Sequence, residues 1–304
     1  MKKLLGIGIN NFLDPSADLS GCVNDTLHVR QLSVDGPLKI DPTEIRLLCD
    51  ERATRLNIFE RLDWCGRGWT DPKPETDKLI IQASCHGSQV VDRDGDEVED
   101  LQDEVLCPYD FPKLWDSPVS CDDAEQCEFL LGQMPKPQIC DDDLAVFLKK
   151  IPEGVYTVLL IDSCHSGSVS RSLNPHGRAK YVSPPIDIMS RGMDRDLGLR
   201  RFGMKPTETR ELGNIHYVEQ RHVLLSGCRD NQTSADAVID DVPQGAMTWS
   251  FLAALKELGY YNGKKPTWLQ VHDMMLSFLS SFGYAQVPQL TGPKAWLEGP
   301  VFWE

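Results

Sequence analysis

Two largely apolar runs, Ile80-Ile81-Gln82-Ala83-Ser84 and Leu159-Leu160-Ile161-Asp162, each lead straight into a short polar loop, Cys85-His86-Gly87 and Ser163-Cys164-His165-Ser166-Gly167. Runs of this kind read as strands buried on both faces, which is how a parallel sheet covered by helices is written. In open α/β sheets, ligands gather beyond the carboxyl ends of such strands. One rim would then carry Cys164 and His86, and a thiol with an imidazole in reach is the minimum for nucleophilic acyl transfer. His86 is the expected general acid/base, and the backbone N–H groups of Gly87 and Cys164 are the expected donors to a developing oxyanion. Singly, a buried cysteine is more often a small hydrophobe and a lone histidine a satisfied polar residue. At two equivalent strand ends, the pair favours chemistry.

The pattern elsewhere alternates between strands and helices. Strands are expected at 4–10, 45–49, 78–84, 155–161 and 222–226. Helices are expected at 22–32 with Val23, Leu27 and Leu32 inward, and at 53–64 with Leu56, Phe59 and Leu62 at helical spacing. Three more are expected at 142–150 (Leu144, Phe147, Leu148), 247–258 (Phe251, Leu252, Leu255) and 266–282 (Leu269, Met274, Met275, Phe278). Residues 88–138 read as an acidic, loop-like stretch, and 169–221, rich in Pro, Gly and Arg, as a long loop. The expected fold is α/β, a mostly parallel central sheet flanked by helices. A chain of 304 residues, 41% hydrophobic, can bury one large core and has no room for a second full domain.

The net charge of −15 disfavours binding to nucleic acid, which needs Lys and Arg to neutralise phosphates, and suits basic protein or peptide partners. Ten cysteines without close repeating pairs suggest neither a disulfide framework nor zinc, since Cys121 and Cys127 lack the usual short ligand spacing. The apolar start at Leu4 is cut short by Asn10 and Asn11, too early for a signal peptide, and no later run is long enough for a membrane span. A cytoplasmic setting that keeps Cys164 reduced fits these features.

The two loops resemble the His-Gly and Asp-Ser-Cys-His-Ser-Gly signatures of metacaspases, the caspase-like cysteine proteases. The likeness continues through Leu5 to Asn10, Leu19 to Asp25 with its Gly-Cys-x-x-Asp element, Asp94 to Glu97, Asp103 to Phe111, Ile139 to Leu144 and Ser226 to Asp236. It implies a caspase-like sandwich in one domain, 1–304. A large-subunit-like part would span about 1–168, a linker about 169–221, and a small-subunit-like part about 222–304. It implies an endopeptidase that cleaves after Arg or Lys, with Asp25 and Asp162 facing the basic side chain and Cys22 and Ser84 in the wall. A bidentate carboxylate–guanidinium pair would put Arg ahead of Lys. For Asp25 the alternative is a carboxylate serving only the helix dipole.

Activating self-cleavage in the linker is a further implication, with Arg171, Arg178, Arg191, Arg195, Arg200, Arg201 and Arg210 as cut sites. Asp103, Asp141 and Asp142 match the family's calcium carboxylates, whereas Arg171 stands where a fourth is expected. The chemistry needs no cofactor, and the incomplete set points to independence from calcium. The stretch Asp92 to Asp96 has its Gly too early for an EF-hand loop and reads as a surface turn. Family likeness also implies a monomer.

Cys85 stands where the family commonly has Gly; a buried filler is the simpler reading, and a redox partner for Cys164 the other. His165 alternates away from Cys164 in extended chain and is a weaker base than His86. Asp230 and Asp236 are carried as residues near the cleft. Two other classes fit parts of the sequence. A cysteine phosphatase needs Arg six residues after the nucleophile, where this chain has Ser170, and it leaves His86 unexplained. A caspase-fold scaffold without activity would have no use for the retained His86 and Cys164.

Overall fold

The computed structural model describes residues 1–91, 102–111, 139–164, 177–182, 220–229 and 232–303. Its strands are β1 (Lys2–Gly8), β2 (Ile45–Cys49), β3 (Lys78–Ser84), β4 (Gly87–Val91), β5 (Gln102–Leu106), β6 (Ile139–Cys140), β7 (Tyr156–Asp162), β8 (Gly177–Ala179), β9 (His222–Ser226), β10 (Ala235–Ile239), β11 (Val242–Gly245) and β12 (Gln289–Thr291). Its helices are α1 (Cys22–Asp35), α2 (Arg55–Gly66), α3 (Asp141–Leu148), α4 (Ala246–Glu257), α5 (Trp268–Ser281) and the short α6 (Lys294–Leu297).

The main sheet runs β12-β9-β7-β3-β1-β2, parallel throughout except for β12. Strands β3 and β7 are buried at every position, as their unbroken apolar runs require. Alternation sends Leu5, Ile7, Ile81 and Ile161 to the face covered by Ile58 and Leu62 of α2 and Phe147 of α3. Leu4, Ile80, Val158 and Leu160 go to the other face, under Val29 and Leu32 of α1, Phe251 of α4 and Trp268 of α5. The expected α/β architecture is therefore what the chain forms. The strands at 45–49, 78–84 and 222–226 fall where the pattern put them.

Some local expectations are corrected. Strand β1 starts at Lys2 rather than Leu4 because Lys3 is buried, its ammonium donating to the carbonyls of Trp64 and Arg67 at 2.9 and 2.6 Å. Leu27, Leu56 and Leu269 point outward. In α1 the buried face is Cys22, Asp25, Thr26, Val29, Leu32 and Ser33. Asp25 borders an interior site, Thr26 bonds Gln82 of β3 and Ser33 returns its hydroxyl to the Val29 carbonyl, so a template that counts apolar residues alone selects the wrong stripe. The stretch read as an acidic loop contributes β4 and β5, which join β6 in a small antiparallel sheet starting at Gly87. The linker contributes β8, which adds to the edge of the β10–β11 hairpin. Three-residue strands held by a distant partner carry too little periodicity to be seen in sequence. Among the described residues, no helix is long and apolar enough to cross a membrane.

Candidate active site

Parallel pairing of β3 with β7 sets Ser84 opposite Asp162. His86 and Cys164 each lie two residues beyond that pair, so one register relation brings both loops to the same rim. Gly87 makes the approach possible, because a Cβ there would stand 1.7 Å from the Cys164 carbonyl oxygen.

His86 is buried, and its Nε2 lies 2.7 Å from the Ala17 carbonyl. A carbonyl can only accept, so Nε2 carries the hydrogen and Nδ1 is left as the lone-pair nitrogen. Nδ1 is buried, and among the described residues no hydrogen bond fixes it. Burial lowers the imidazole pKa to about 4; backbone contacts with Ala17 and Lys180 oppose this, and the charges of Arg178 and Lys180 add to it. Phe12 packs against the ring at 5.1 Å, and Cys107 N–H holds the His86 carbonyl at 2.9 Å.

Cys164 is fully buried. Its Sγ accepts from Ser234 N–H at 2.8 Å and lies 3.4 Å from the Ser234 carbonyl. Burial pushes the thiol pKa well above its ordinary value, and the neighbouring Cys228 thiol pushes it further, against Ser234 and Lys180. Both groups are thus neutral, a thiol and an imidazole rather than a thiolate and an imidazolium.

A third feature involves a linker residue outside the seven arginines expected as cut sites: the chain itself occupies the site through Lys180. Strand β8 pairs antiparallel with β10, placing Arg178 opposite Asp236 and Ala179 opposite Ala235. Next, Lys180 N–H donates to the Ser234 carbonyl at 3.0 Å. The Lys180 carbonyl accepts from Gly87 N–H at 3.0 Å and from Cys164 N–H at 3.3 Å, the two donors expected for an oxyanion. Beyond it, Val182 N–H donates to the Gly87 carbonyl at 3.1 Å. The segment crosses the rim as an added strand, with the Lys180–Tyr181 bond beside the thiol and imidazole loops.

The Lys180 side chain fills a closed acidic pocket. Its Nζ lies 3.1 Å from Asp25 Oδ2, 3.1 Å from Asp162 Oδ1 and 2.8 Å from Ser84 Oγ, with the residue fully buried. Ser84 in turn donates to Asp25 at 2.6 Å, and Gly245 N–H to the other Asp25 oxygen at 2.8 Å. Asp162 also accepts from Ser234 Oγ at 2.6 Å and from Thr248 N–H and Oγ at 3.0 and 2.8 Å. Burial works against ionising Asp162, but the Lys180 ammonium and these donors outweigh it and hold the carboxyl below its usual range. Burial and the Asp162 charge raise Asp25, to about 6, against the pull of Lys180. Cys22 lines the wall, near enough for Ser84 to hydrogen-bond its thiol, which burial pushes well above its ordinary pKa. Asp25, Asp162, Ser84 and Cys22 therefore do surround one basic side chain.

Asp236 stands one shell back, accepting from Ser20 and Gly21 N–H at 2.7 and 2.8 Å at the start of α1. Cys85 packs in the core, its thiol pushed up to about 12 by burial. Of the seven arginines expected as cut sites, only Arg178 falls among the described residues. Its guanidinium donates to the Ser16 and Asp18 carbonyls rather than entering the pocket. Arg171, His165, Asp230 and the Asp92 to Asp96 turn lie outside the described residues. Asp103 is on β5, while Asp141 and Asp142 open α3. The side chains of Asp103 and Asp142 are not among those described, and the described residues hold no group of three or more His, Cys, Asp or Glu suited to a metal ion.

Sequence reasoning missed Lys180, Cys228, Thr248, Gly245 and the Ala17 carbonyl. Lys180 carried the one usable signal, a basic residue in the linker; the others act through backbone or through contacts distant in sequence.

The fold is that of the caspases. Caspase-1 from Spodoptera frugiperda aligns with a TM-score of 0.53 at 10% identity, over 96% of this chain and 86% of that one. A protein from Geobacter sulfurreducens solved by structural genomics gives 0.63 at 20% identity, over 99% and 98%. Residues 2–172 match the family model described as metacaspase, peptidase C14 domain, and the chain belongs to that family of cysteine peptidases. Among curated relatives, it is 28% identical to Metacaspase-1 of Scheffersomyces stipitis, over 95% of this chain and 70% of the relative. With Metacaspase-1A of Neurospora crassa it shares 28% identity over 95% and 62%. The chain thus spans roughly two thirds of the length of these relatives.

Proposed function

We propose that this chain is a cysteine endopeptidase that cleaves after Lys or Arg, and that its own Lys180–Tyr181 bond is one of its substrates. The observation that carries this reading is the double engagement of Lys180, with its carbonyl between the Gly87 and Cys164 N–H groups and its ammonium between Asp25 and Asp162. In the reaction, Cys164 Sγ adds to the Lys180 carbonyl carbon as His86 Nδ1 takes the thiol proton. The oxyanion keeps the two backbone donors. His86 then gives the proton to the Tyr181 nitrogen, the C–N bond breaks, and water hydrolyses the thioester to return the thiol. Three single acceptors suit a three-donor ammonium, so lysine leads arginine, the reverse of the order that bidentate pairing suggests.

Calcium is not needed in this reading, because Arg171 stands in place of one carboxylate. The partners are proteins or peptides with a basic residue before the cut, met by a monomer. Eight free cysteines among the described residues suit a reducing compartment such as the cytoplasm.

Incubation of the full chain, followed by intact mass and N-terminal sequencing, tests self-cleavage. A new terminus at Tyr181, absent in Cys164→Ala and Lys180→Ala, is expected. Paired fluorogenic peptides ending in Lys, Arg or Asp, with calcium or chelator, test the rest. Hydrolysis of basic peptides that is lost in Cys164→Ala and unchanged by chelator is expected. Asp-selective turnover would overturn the pocket assignment. One observation favours a second reading, a latent caspase-fold protein that binds without cutting: Cys164 is fully buried beneath its own chain. Absence of turnover of every peptide would select it.

A further inference from the structure

Resting on the reading that the acidic pocket takes the residue before the cut, we infer that Gly245 is the floor of that pocket and sets the length of the cation it accepts. Gly245 ends β11 with φ −73° and ψ 134°, values open to any residue, so the backbone does not ask for glycine here. Space does. A Cβ at 245 would stand 2.3 Å from Lys180 Nζ, 2.2 Å from Asp162 Oδ2 and 2.6 Å from Asp25 Oδ2. The ammonium therefore already rests against the Gly245 main chain, and the Gly245 N–H bond to Asp25 Oδ1 ties that floor to the pocket wall. Asp25, Asp162 and Ser84 surround the ammonium, so a longer stem presses on the Gly245 main chain, which also places arginine behind lysine.

With a methyl group at 245, the ammonium would have to retreat from 2.3 Å to at least 3.4 Å for ordinary contact, and the Asp162 and Asp25 carboxylates would draw back with it from 2.2 and 2.6 Å. That displacement is on the order of one carbon–carbon bond, or one methylene of the side chain. Gly245→Ala should therefore convert a pocket for lysine into one for ornithine. Glycine at this position selects length, whereas the two carboxylates select charge.

The test uses the full chain carrying Lys180→Ala, so that the internal occupant does not compete. One peptide sequence is offered with ornithine, lysine or homolysine before the reporter. The parent is expected to cleave the lysine peptide about tenfold or more faster than either neighbour, and Gly245→Ala to invert the lysine-to-ornithine order. An unchanged order in a folded Gly245→Ala protein overturns the inference. Should that variant fail to fold, the parent decides: homolysine cleaved as fast as lysine overturns it, and a drop of about tenfold or more supports it. Cleavage of no basic peptide overturns the basic-residue reading as well, whereas lysine cleavage with a length order that ignores Gly245 overturns the floor alone.

Discussion

Lys180 touches two regions of the site that are built on opposite principles. Around its ammonium, Asp25, Asp162 and Ser84 form a dense polar network in which every carboxylate oxygen has a partner. Around its carbonyl, the reacting groups are sparsely held: among the described residues, no hydrogen bond fixes His86 Nδ1, and Cys164 Sγ meets the backbone of Ser234 and the Cys228 thiol. Buried ion pairs with satisfied lone pairs fix geometry and select a partner. Burial raises the Cys164 thiol and lowers the His86 imidazole, so transfer of the proton between them is disfavoured while the strand covers the site and becomes easier as water reaches it. The contrast assigns recognition to one region and chemistry to the other.

Mutation of each region should separate them. Cys164→Ala is expected to lower peptide hydrolysis by about 10³-fold or more while leaving the sheet intact, because Sγ makes no structural ion pair. Asp162→Asn should lower kcat/KM for lysine peptides by roughly 10²- to 10³-fold, since it leaves a buried cation with half its charge compensation. Asp25→Asn should cost less, because its carboxyl, raised to about 6, is the less firmly ionised of the two. Titrations of kcat/KM on each variant check the order; a larger loss in Asp25→Asn would reverse the division of labour within the pocket.

The two regions were unequally legible in sequence. Parallel register turns a linear pattern into a spatial one: two apolar runs followed by Cys-His-Gly and Ser-Cys-His fix His86 and Cys164 with no knowledge of any helix. The family likeness supplied Asp25, Asp162, Cys22 and Ser84. What stayed hidden is instructive. Ala17 acts through a carbonyl, which any residue supplies, and Gly245 acts by lacking a side chain. Thr248 and Ser234 gain meaning only when α4 and the turn before β10 fold against β7. Lys180 was hidden for another reason. Strand β8 exists because β10 offers an edge, and a three-residue partner has no periodicity of its own.

Removing the occupant tests whether the recognition region guards the chemical one. Lys180→Ala takes the ammonium from between two carboxylates and loosens the strand that covers Cys164. Alkylation of Cys164 by iodoacetamide, followed by peptide mass mapping, is expected to speed up by roughly tenfold or more, in proportion to how often the site opens. An unchanged rate would mean that β8 holds its place through backbone pairing alone.

The smallest expected effect, and the one that distinguishes the regions most directly, is in the pH dependence of stability. His86 titrates near 6.5 in an unfolded chain and near 4 here, because burial disfavours its charged form. Between those values the unfolded chain binds a proton that the folded one does not, so stability falls as pH drops from about 6.5 to 4 and then levels off. The gap limits this loss to about 3 kcal/mol, or a few degrees of Tm. Asp25 works in the opposite sense: its folded pKa is raised from 3.8 to about 6, so the folded chain binds the extra proton and stability grows as pH falls through that range. Melting curves of His86→Gln from pH 7 to 4 should lose part of the acid-side decline, whereas Asp25→Asn should steepen it. Changes of the same sign in both variants would mean that the imidazole and the acidic pocket titrate as one coupled cluster, and the division between chemistry and recognition would fail.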